Sequence, residues 1–299
     1  MEKVLVLLAT YNGEKYLREQ LDSLFAQQGV EVSVWVRDDG SKDNTLEILK
    51  EYEAKSDLRW YQGPHLNVQK GFFELVQKAS ETDYKYFAFC DQDDVWDPDK
   101  LSIAVSKMNE NTDRIPKLYY CGQRLVDGDL NFIEEHRMNP VRTDYARFML
   151  NDAAGCTQVF NRELIDAVVS YVPDYMLMHD VWILKICLAL GGKIFVDNDC
   201  HMSYRQHGNN VMGLKRDFRS KLKQVKIYIN EYKVEPQMAE LKKGFDKQMT
   251  DEYRQIVDDV LAYKKSFSSR SRLTKKKKFN FGDRGLQLTY NLKIFLNKL

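Results

Sequence analysis

The chain has 299 residues, 43% of them hydrophobic and 12% aromatic, enough to bury a core and too many for a disordered composition. Its near-zero net charge hides a split: residues 1–213 carry 23 Lys and Arg against 34 Asp and Glu, and residues 214–299 carry 22 against 10. That asymmetry divides the chain into a larger unit, 1–213, and a basic extension, 214–299, that expects an anionic partner. No run of 18 apolar residues argues for a transmembrane helix, and MEKVLVLLATYNG lacks the length and cleavage site of a signal peptide.

Taken in chain order, VLVLLA (4–9) predicts a buried strand, followed by a helix with Tyr16, Leu17, Leu21, Leu24 and Phe25 on one face. VSVWVR (32–37) is β-branched and aromatic, and the turn DDGSKDNT leads from it into the helical LEILKEYEAK. Residues 59–61 form a short strand candidate, GFFELVQKA a helix, 86–90 a strand and 98–108 a helix. This alternation predicts a doubly wound, mainly parallel α/β sheet. Beyond Lys117 the pattern mixes: KLYYC, GCTQVFN and KIFVD are strand-like, 163–171 and 180–190 helical, and charged helical stretches dominate from 214. Cys90, Cys121, Cys156, Cys187 and Cys200 are odd in number, far apart and without a CxxC pair. They read as buried thiols of a cytoplasmic protein rather than disulfides or a zinc site.

The chemistry concentrates at strand ends. YFAFC runs into Asp91, Asp93 and Asp94, and alternation along an extended chain points Asp91 and Asp93 the same way. Two hard oxygen ligands at the carboxyl end of a parallel strand suit Mg²⁺ or Mn²⁺ carrying substrate phosphates. Helix capping, the competing explanation, suits Asp97 and Asp99 but leaves Asp91 and Asp93 unexplained. No GxGxxG or GxxxxGK[ST] follows the first strand, which argues against a dinucleotide site and a P-loop. In DDGSKDNT, Gly40 provides the turn and Ser41 or Asp43 the helix cap, leaving Asp38 and Asp39 free; Asp39 suits the imide N–H of a pyrimidine base. Asp180 opens a helix, flanked by His179 and Trp182, groups of the kind that line sugar sites. In SYRQHGNN, Arg205 suits a diphosphate and neutral His207 a cation's shell, unless the segment is simply a polar surface loop.

The order ATYNG, DDGSKDNT, DQDDVW, MHD before a helix and YRQHGNN resembles the inverting family 2 glycosyltransferases of GT-A fold across residues 3–213. Within that family it is most similar to bacterial rhamnosyltransferases that build cell-wall or capsular polysaccharide. The resemblance implies a nucleotide-sugar donor, dTDP-rhamnose foremost, held by Thr10, Tyr11, Asp39, Lys70, Asp91 and Arg205. It implies Mn²⁺ or Mg²⁺ on Asp93 and His207, Asp180 as catalytic base, and a saccharide acceptor, lipid-linked or free, against Trp96, His179 and Trp182. The family often has Glu-Asp where this chain has His179-Asp180, so position 179 cannot share the carboxylate role.

Residues 264–278 hold eight basic residues and no acidic one, with no nucleic-acid module beside them. GLQLTYNLKIFLNKL (285–299) fits a helix through Leu288, Leu292, Phe295 and Leu299, yet also alternates like a strand. The expectation is a helix on the anionic inner face of the cell membrane, with packing on the catalytic domain or in a homodimer as alternatives. Other activities to separate are UDP-hexose transfer on the same fold, a sugar-nucleotide pyrophosphorylase, whose Gly-rich Arg-containing loop ATYNGEKY lacks, and an inactive carbohydrate-binding scaffold.

Overall fold

The computed structural model describes residues 1–150, 152–207 and 232–299. Its first half alternates β1 (Glu2–Thr10), α1 (Leu17–Phe25), β2 (Val30–Asp38), α2 (Thr45–Lys55), β3 (Leu58–Gln62), α3 (Val68–Ser80), β4 (Tyr86–Cys90), the two-residue β5 (Val95–Trp96) and α4 (Lys100–Asn109). The second half adds β6 (Lys117–Val126), β7 (Phe132–His136), α5 (Asp144–Met149), β8 (Val159–Asn161), α6 (Arg162–Val169), α7 (His179–Ala189) and β9 (Lys193–Arg205). After the segment outside the described residues, where the charge boundary at 213 falls, come α8 (Val234–Phe245), α9 (Asp251–Ala262), α10 (Phe267–Leu273) and α11 (Arg284–Phe295).

One sheet runs β3-β2-β1-β4-β8-β6-β9-β5, with β7 hairpinned onto β6. The first four strands are parallel, as their apolar runs and intervening helices predict; β8 enters antiparallel, and β9 returns parallel to β6. Consequently β1, β2, β4, β6 and β9 all end at one edge of the sheet. β1 shows how the two faces are filled. Val4, Val6 and Leu8 join the core under α1, α2 and α4, whereas Leu5 and Leu7 join the core under α3, α6 and α7.

That second core extends into the C-terminal helices. Met238, Leu241, Phe245, Ile256, Val257, Tyr290 and Ile294 belong to the same buried cluster as Leu5, Phe89 and Trp182. The basic segment is thus a further layer on one face of the sheet. The ambiguous 285–299 pattern resolves as helix over Arg284–Phe295, with the Asp283 side chain accepting from the Leu286 N–H at 2.8 Å. Two readings change. GCTQVFN yields a short 3-10 turn at Gly155–Thr157 and only three strand residues. Asp97 does not cap α4, because Arg124 holds its carboxylate. All five cysteines are free thiols, four of them buried, and no described helix is long and apolar enough to cross a membrane.

Burial leaves an electrostatic signature in α7. Lys185 donates to the Phe148 carbonyl, and burial, with Lys293 nearby, pushes its ammonium from the ordinary 10.5 down to about 7. The unfolded chain therefore binds more protons above pH 7, so the penalty of the buried charge is full below about 7 and is relieved as pH rises toward 10.5. Lys185→Met should raise the melting temperature at pH 7 and flatten its rise between pH 7 and 9. A variant less stable than wild type at pH 7 in thermal melts contradicts this assignment.

Candidate active site

The loops after β1 and β2 are zipped together at the common strand edge. The Asp39 N–H donates to the Thr10 carbonyl at 2.9 Å, the Asn12 N–H to Ser41 Oγ at 2.8 Å, and the Gly13 N–H to Thr45 Oγ1 at 2.8 Å. Asp38 is buried inside this assembly. It accepts from the Gly40 and Ser41 N–H groups at 3.0 Å, from the Ser41 hydroxyl and from Gln62 Nε2 at 3.0 Å. The expectation that Asp38 stands free is therefore corrected: it builds the turn, which Gly40 completes at φ +87°.

Asp39 is ion-paired with the buried Arg37, which also donates to Glu74 at 3.2 Å and to the Pro64 carbonyl at 2.8 Å. Beside it the exposed Tyr11 ring lies 4.7 Å from the His65 ring, and His65 Nδ1 is 3.3 Å from the Asp39 carbonyl oxygen. A carboxylate next to an aromatic shelf is suited to a flat, hydrogen-bonding base. Sequence reading missed His65, although its place just beyond a strand end was a usable signal. Lys70 is exposed in the first turn of α3, and its neighbour Gly71 faces the Arg37–Asp39 pair.

The acidic segment after β4 bends at once, so alternation does not persist through it. Asp93 Oδ2 lies 2.7 Å from His207 Nε2, joining positions 114 residues apart. Asp91 instead turns toward Asp94 and Cys156, their ligand atoms all within 4.8 Å of one another. Burial first, then the charges of Asp93 and Asp180, push the Asp91 carboxyl up to about 7. Burial, then Asp93 and Asp91, raise Asp94 well above the carboxylate range. Asp94 Oδ1 accepts from the Arg205 N–H at 3.1 Å, while its buried Oδ2 has no hydrogen-bond partner among the described residues. Lys100, a buried cation at this cluster, donates to the Cys156 carbonyl at 2.6 Å and lies over the Trp96 ring. Crowded carboxylates, an imidazole and an orphaned buried oxygen fit a hard divalent cation. Cys156, whose thiol burial keeps protonated, is not a ligand of that kind.

Asp180 sits half-buried in the first turn of α7, close enough to Asp91 to raise its carboxyl, and its Oδ1 accepts from the Val181 N–H at 2.7 Å. The turn at Gly155 runs beneath it. A Cβ at position 155 would fall 2.8 Å from His179 Nε2 and 3.5 Å from Asp180 Cβ, so a side chain there would displace the start of α7.

Several expected roles change. Thr10 is buried and donates its hydroxyl to Gln92 Oε1 at 2.6 Å, and Gln92 Oε1 also accepts from the Tyr11 N–H at 2.9 Å. Thr10 thus locks the acidic loop to β1 instead of facing a ligand, and Gln92, read earlier only as part of the motif, is the connector. Arg205 is buried and fully engaged, with Glu19, with the Asp93 carbonyl at 2.8 Å, with the Gly128 carbonyl at 2.6 Å and over the Tyr16 ring. It clamps the acidic loop and does not present itself to a diphosphate. Trp96 is 2% exposed, His179 6% and Trp182 1%, so none lines an acceptor surface. His179 stacks on Phe72 at 4.0 Å and meets the edge of Phe89, and burial pushes its imidazole down to about 3. Asn209 and Asn210 lie outside the described residues.

Asp39 therefore stabilises as well as faces the cleft. Asp39→Ala should lower unfolding free energy by about 3 kcal/mol, the lower end for unpairing a buried charge because Glu74 remains. Urea denaturation measures it; a loss below 1 kcal/mol would show that Glu74 alone satisfies Arg37.

Comparison with known proteins identifies the family and the fold. The sequence profile "Glycosyl transferase family 2" matches residues 5–169. The dTDP-rhamnosyl transferase RfbG of Shigella flexneri is 27% identical over 240 residues, spanning 75% of this chain and 80% of that protein. Among solved structures, S. aureus TarS 1-349 in complex with UDP-GlcNAc superposes with a TM-score of 0.58 at 18% identity, covering 99% of this chain and 89% of that one. The mannosyltransferase PcManGT of Pyrobaculum calidifontis, in complex with GDP-Man and Mn²⁺, superposes with a TM-score of 0.58 at 14% identity, covering 99% and 86%. These two likenesses establish a shared fold.

Proposed function

The chain belongs to glycosyl transferase family 2, and from that premise we propose that it transfers rhamnose from dTDP-rhamnose to a saccharide hydroxyl, with inversion, in the synthesis of a cell-surface polysaccharide. The observation that carries the reading is the Asp93–His207 contact at 2.7 Å, made beside Asp91 and Asp180 at the carboxyl edge of a parallel sheet. The rhamnose assignment is supported by the similarity to a dTDP-rhamnosyl transferase. UDP-hexose is the second donor class to test, since uracil presents the same imide edge to Asp39.

The base lies against Tyr11 and His65 with Asp39 accepting its imide N–H, and Lys70 stands by the diphosphate. Asp93 and His207 would hold Mn²⁺ or Mg²⁺, which when bound supplies charge neutralisation for a departing diphosphate. Arg205 and Gln92 hold the acidic loop in position from beneath and from the side of β1. Asp180 accepts the proton of the acceptor hydroxyl as its oxygen bonds to the anomeric carbon. The bond from that carbon to the diphosphate oxygen breaks in the same displacement, and the electron pair leaves with the nucleotide. A single displacement from the opposite face inverts the anomeric configuration.

The carboxylates have separate duties and should fail differently. Asp93→Ala should abolish the Mn²⁺-dependent part of dTDP binding in calorimetry; undiminished affinity removes Asp93 from the metal site. Asp180→Asn should bind donor normally yet transfer at least ~10²-fold more slowly, the usual contribution of a general base. Near wild-type turnover would leave Asp180 as a helix-start residue only. A thermal-shift panel with Mn²⁺ should show stabilisation by dTDP-rhamnose exceeding that by UDP-glucose and UDP-GlcNAc; the reverse order selects the UDP-hexose reading.

A further inference from the structure

The C-terminal helix is apolar on both faces: Tyr290 and Ile294 are buried in the core, and the outward face is apolar too. Its buried positions include the polar Gln287 and Lys293, and Lys293 donates to the Tyr232 carbonyl. Its outward positions carry Leu288, 69% exposed, Leu292, 44%, Phe295, 76%, and Leu296, 44%. These follow one another at i, i+4, i+7 and i+8, so they form one stripe, about 12 Å long at 1.5 Å per residue. Single exposed leucines are ordinary, whereas a continuous outward stripe is the mark of a contact surface.

The neighbouring α10 and the turn after it add an exposed aromatic and positive charge near α11. α10 runs alongside: Arg270 donates to Asn297 Oδ1 at 2.6 Å at one end, and Tyr290 donates to the Leu273 carbonyl at 3.2 Å at the other. The first arrangement brings Phe267, 86% exposed and one turn before Arg270, toward the end that carries Phe295. The second places the end of α10, which the Lys275–Lys278 turn follows, at Tyr290 of α11. Of the eight basic residues in 264–278, Lys264, Arg272 and Lys278 pair with Glu235, Asp259 and Glu252, and Arg270 is bound to carbonyls. The exposed Lys265, Lys275, Lys276 and Lys277 form no ion pair with any described residue.

We propose that the outward face of α11, with Phe267 and these four lysines, is a docking surface for an anionic lipid bilayer. The lysines lie against anionic headgroups while Leu288, Leu292, Phe295 and Leu296 enter the boundary between headgroups and acyl chains. A second copy of the chain is the poorer occupant, because it brings the same unpaired positive charge to the contact, whereas an anionic bilayer complements it. Attachment is peripheral, and an acceptor carried on a membrane lipid reaches the enzyme from the surface to which it is bound. The inference stands on these surface residues and does not depend on the identity of the donor sugar.

Co-sedimentation of the full chain with phosphatidylcholine vesicles, with and without phosphatidylglycerol as about a third of the lipid, tests it, since both the charge and the apolar stripe are required. Wild type should bind only the anionic vesicles and be released at high salt, where surface attraction is screened. Leu292→Glu with Phe295→Glu, and separately Lys265, Lys275, Lys276 and Lys277 all changed to Glu, should each weaken binding at least tenfold. All these positions are exposed, and unchanged melting temperatures confirm that the variants fold. Binding that survives the lysine changes, binding that survives the apolar changes, or no binding by wild type overturns the proposal. A wild-type dimer that Phe295→Glu dissociates, without vesicle binding, assigns the face to a second copy instead.

Discussion

Four carboxylates, Asp91, Asp93, Asp94 and Asp180, come together at one sheet edge, and the fold must hold them there against their repulsion. Burial and mutual charge raise Asp91 and Asp94 together. What restrains the cluster is a polar frame. Arg205 grips the acidic loop through the Asp93 carbonyl and, by its own N–H, Asp94; Gln92 ties the same loop to Thr10 and Tyr11. Two residues past the clamp, just beyond the end of β9, His207 brings an imidazole to Asp93. Removing that frame would free the carboxylates to separate, so the motif's residues divide into the carboxylates and those that hold them in place.

The donor side follows the same division. Asp38 and Asp39 are adjacent and chemically identical, yet one is buried under four hydrogen bonds and the other lines the cleft against Arg37. Arg37, drawn from the strand itself, carries the charge of Asp39 into the core, and Glu74 and the Pro64 carbonyl complete its shell. Interior polar contacts made by the strands hold this edge of the sheet, while the exposed Tyr11, His65 and Lys70 come from loops and a helix start.

On the opposite side of function, the C-terminal helices are continuous with the core under α3, α6 and α7. Their charge asymmetry, evident along the chain, is partly cancelled in three dimensions: half of the basic cluster is engaged by Asp, Glu or backbone carbonyls. What remains is smaller: four exposed lysines without an ion pair among the described residues, in the segment that leads to a helix with an outward apolar stripe.

The sequence by itself determined the alternating elements, the parallel first half of the sheet and the positions where acidic residues follow strands, because each of these depends on local periodicity and turn chemistry. It also marked Asp93, His207, Asp39 and Asp180 by type and order. It could not separate ligand-facing residues from supporting ones, since that depends on which side of a bend a side chain leaves. Trp96, His179 and Trp182 look like sugar platforms in the sequence and are core residues in the fold; Arg205 looks like a phosphate ligand and is a clamp. Gln92 and His65 were legible only as letters in a motif or a loop. The tertiary structure alone decided that Asp91 turns toward Asp94, because the chain bends after Cys90 and strand alternation ends there. It likewise decided which face of the last helix is buried, since a pattern with apolar residues on both sides carries no instruction about which side meets the protein.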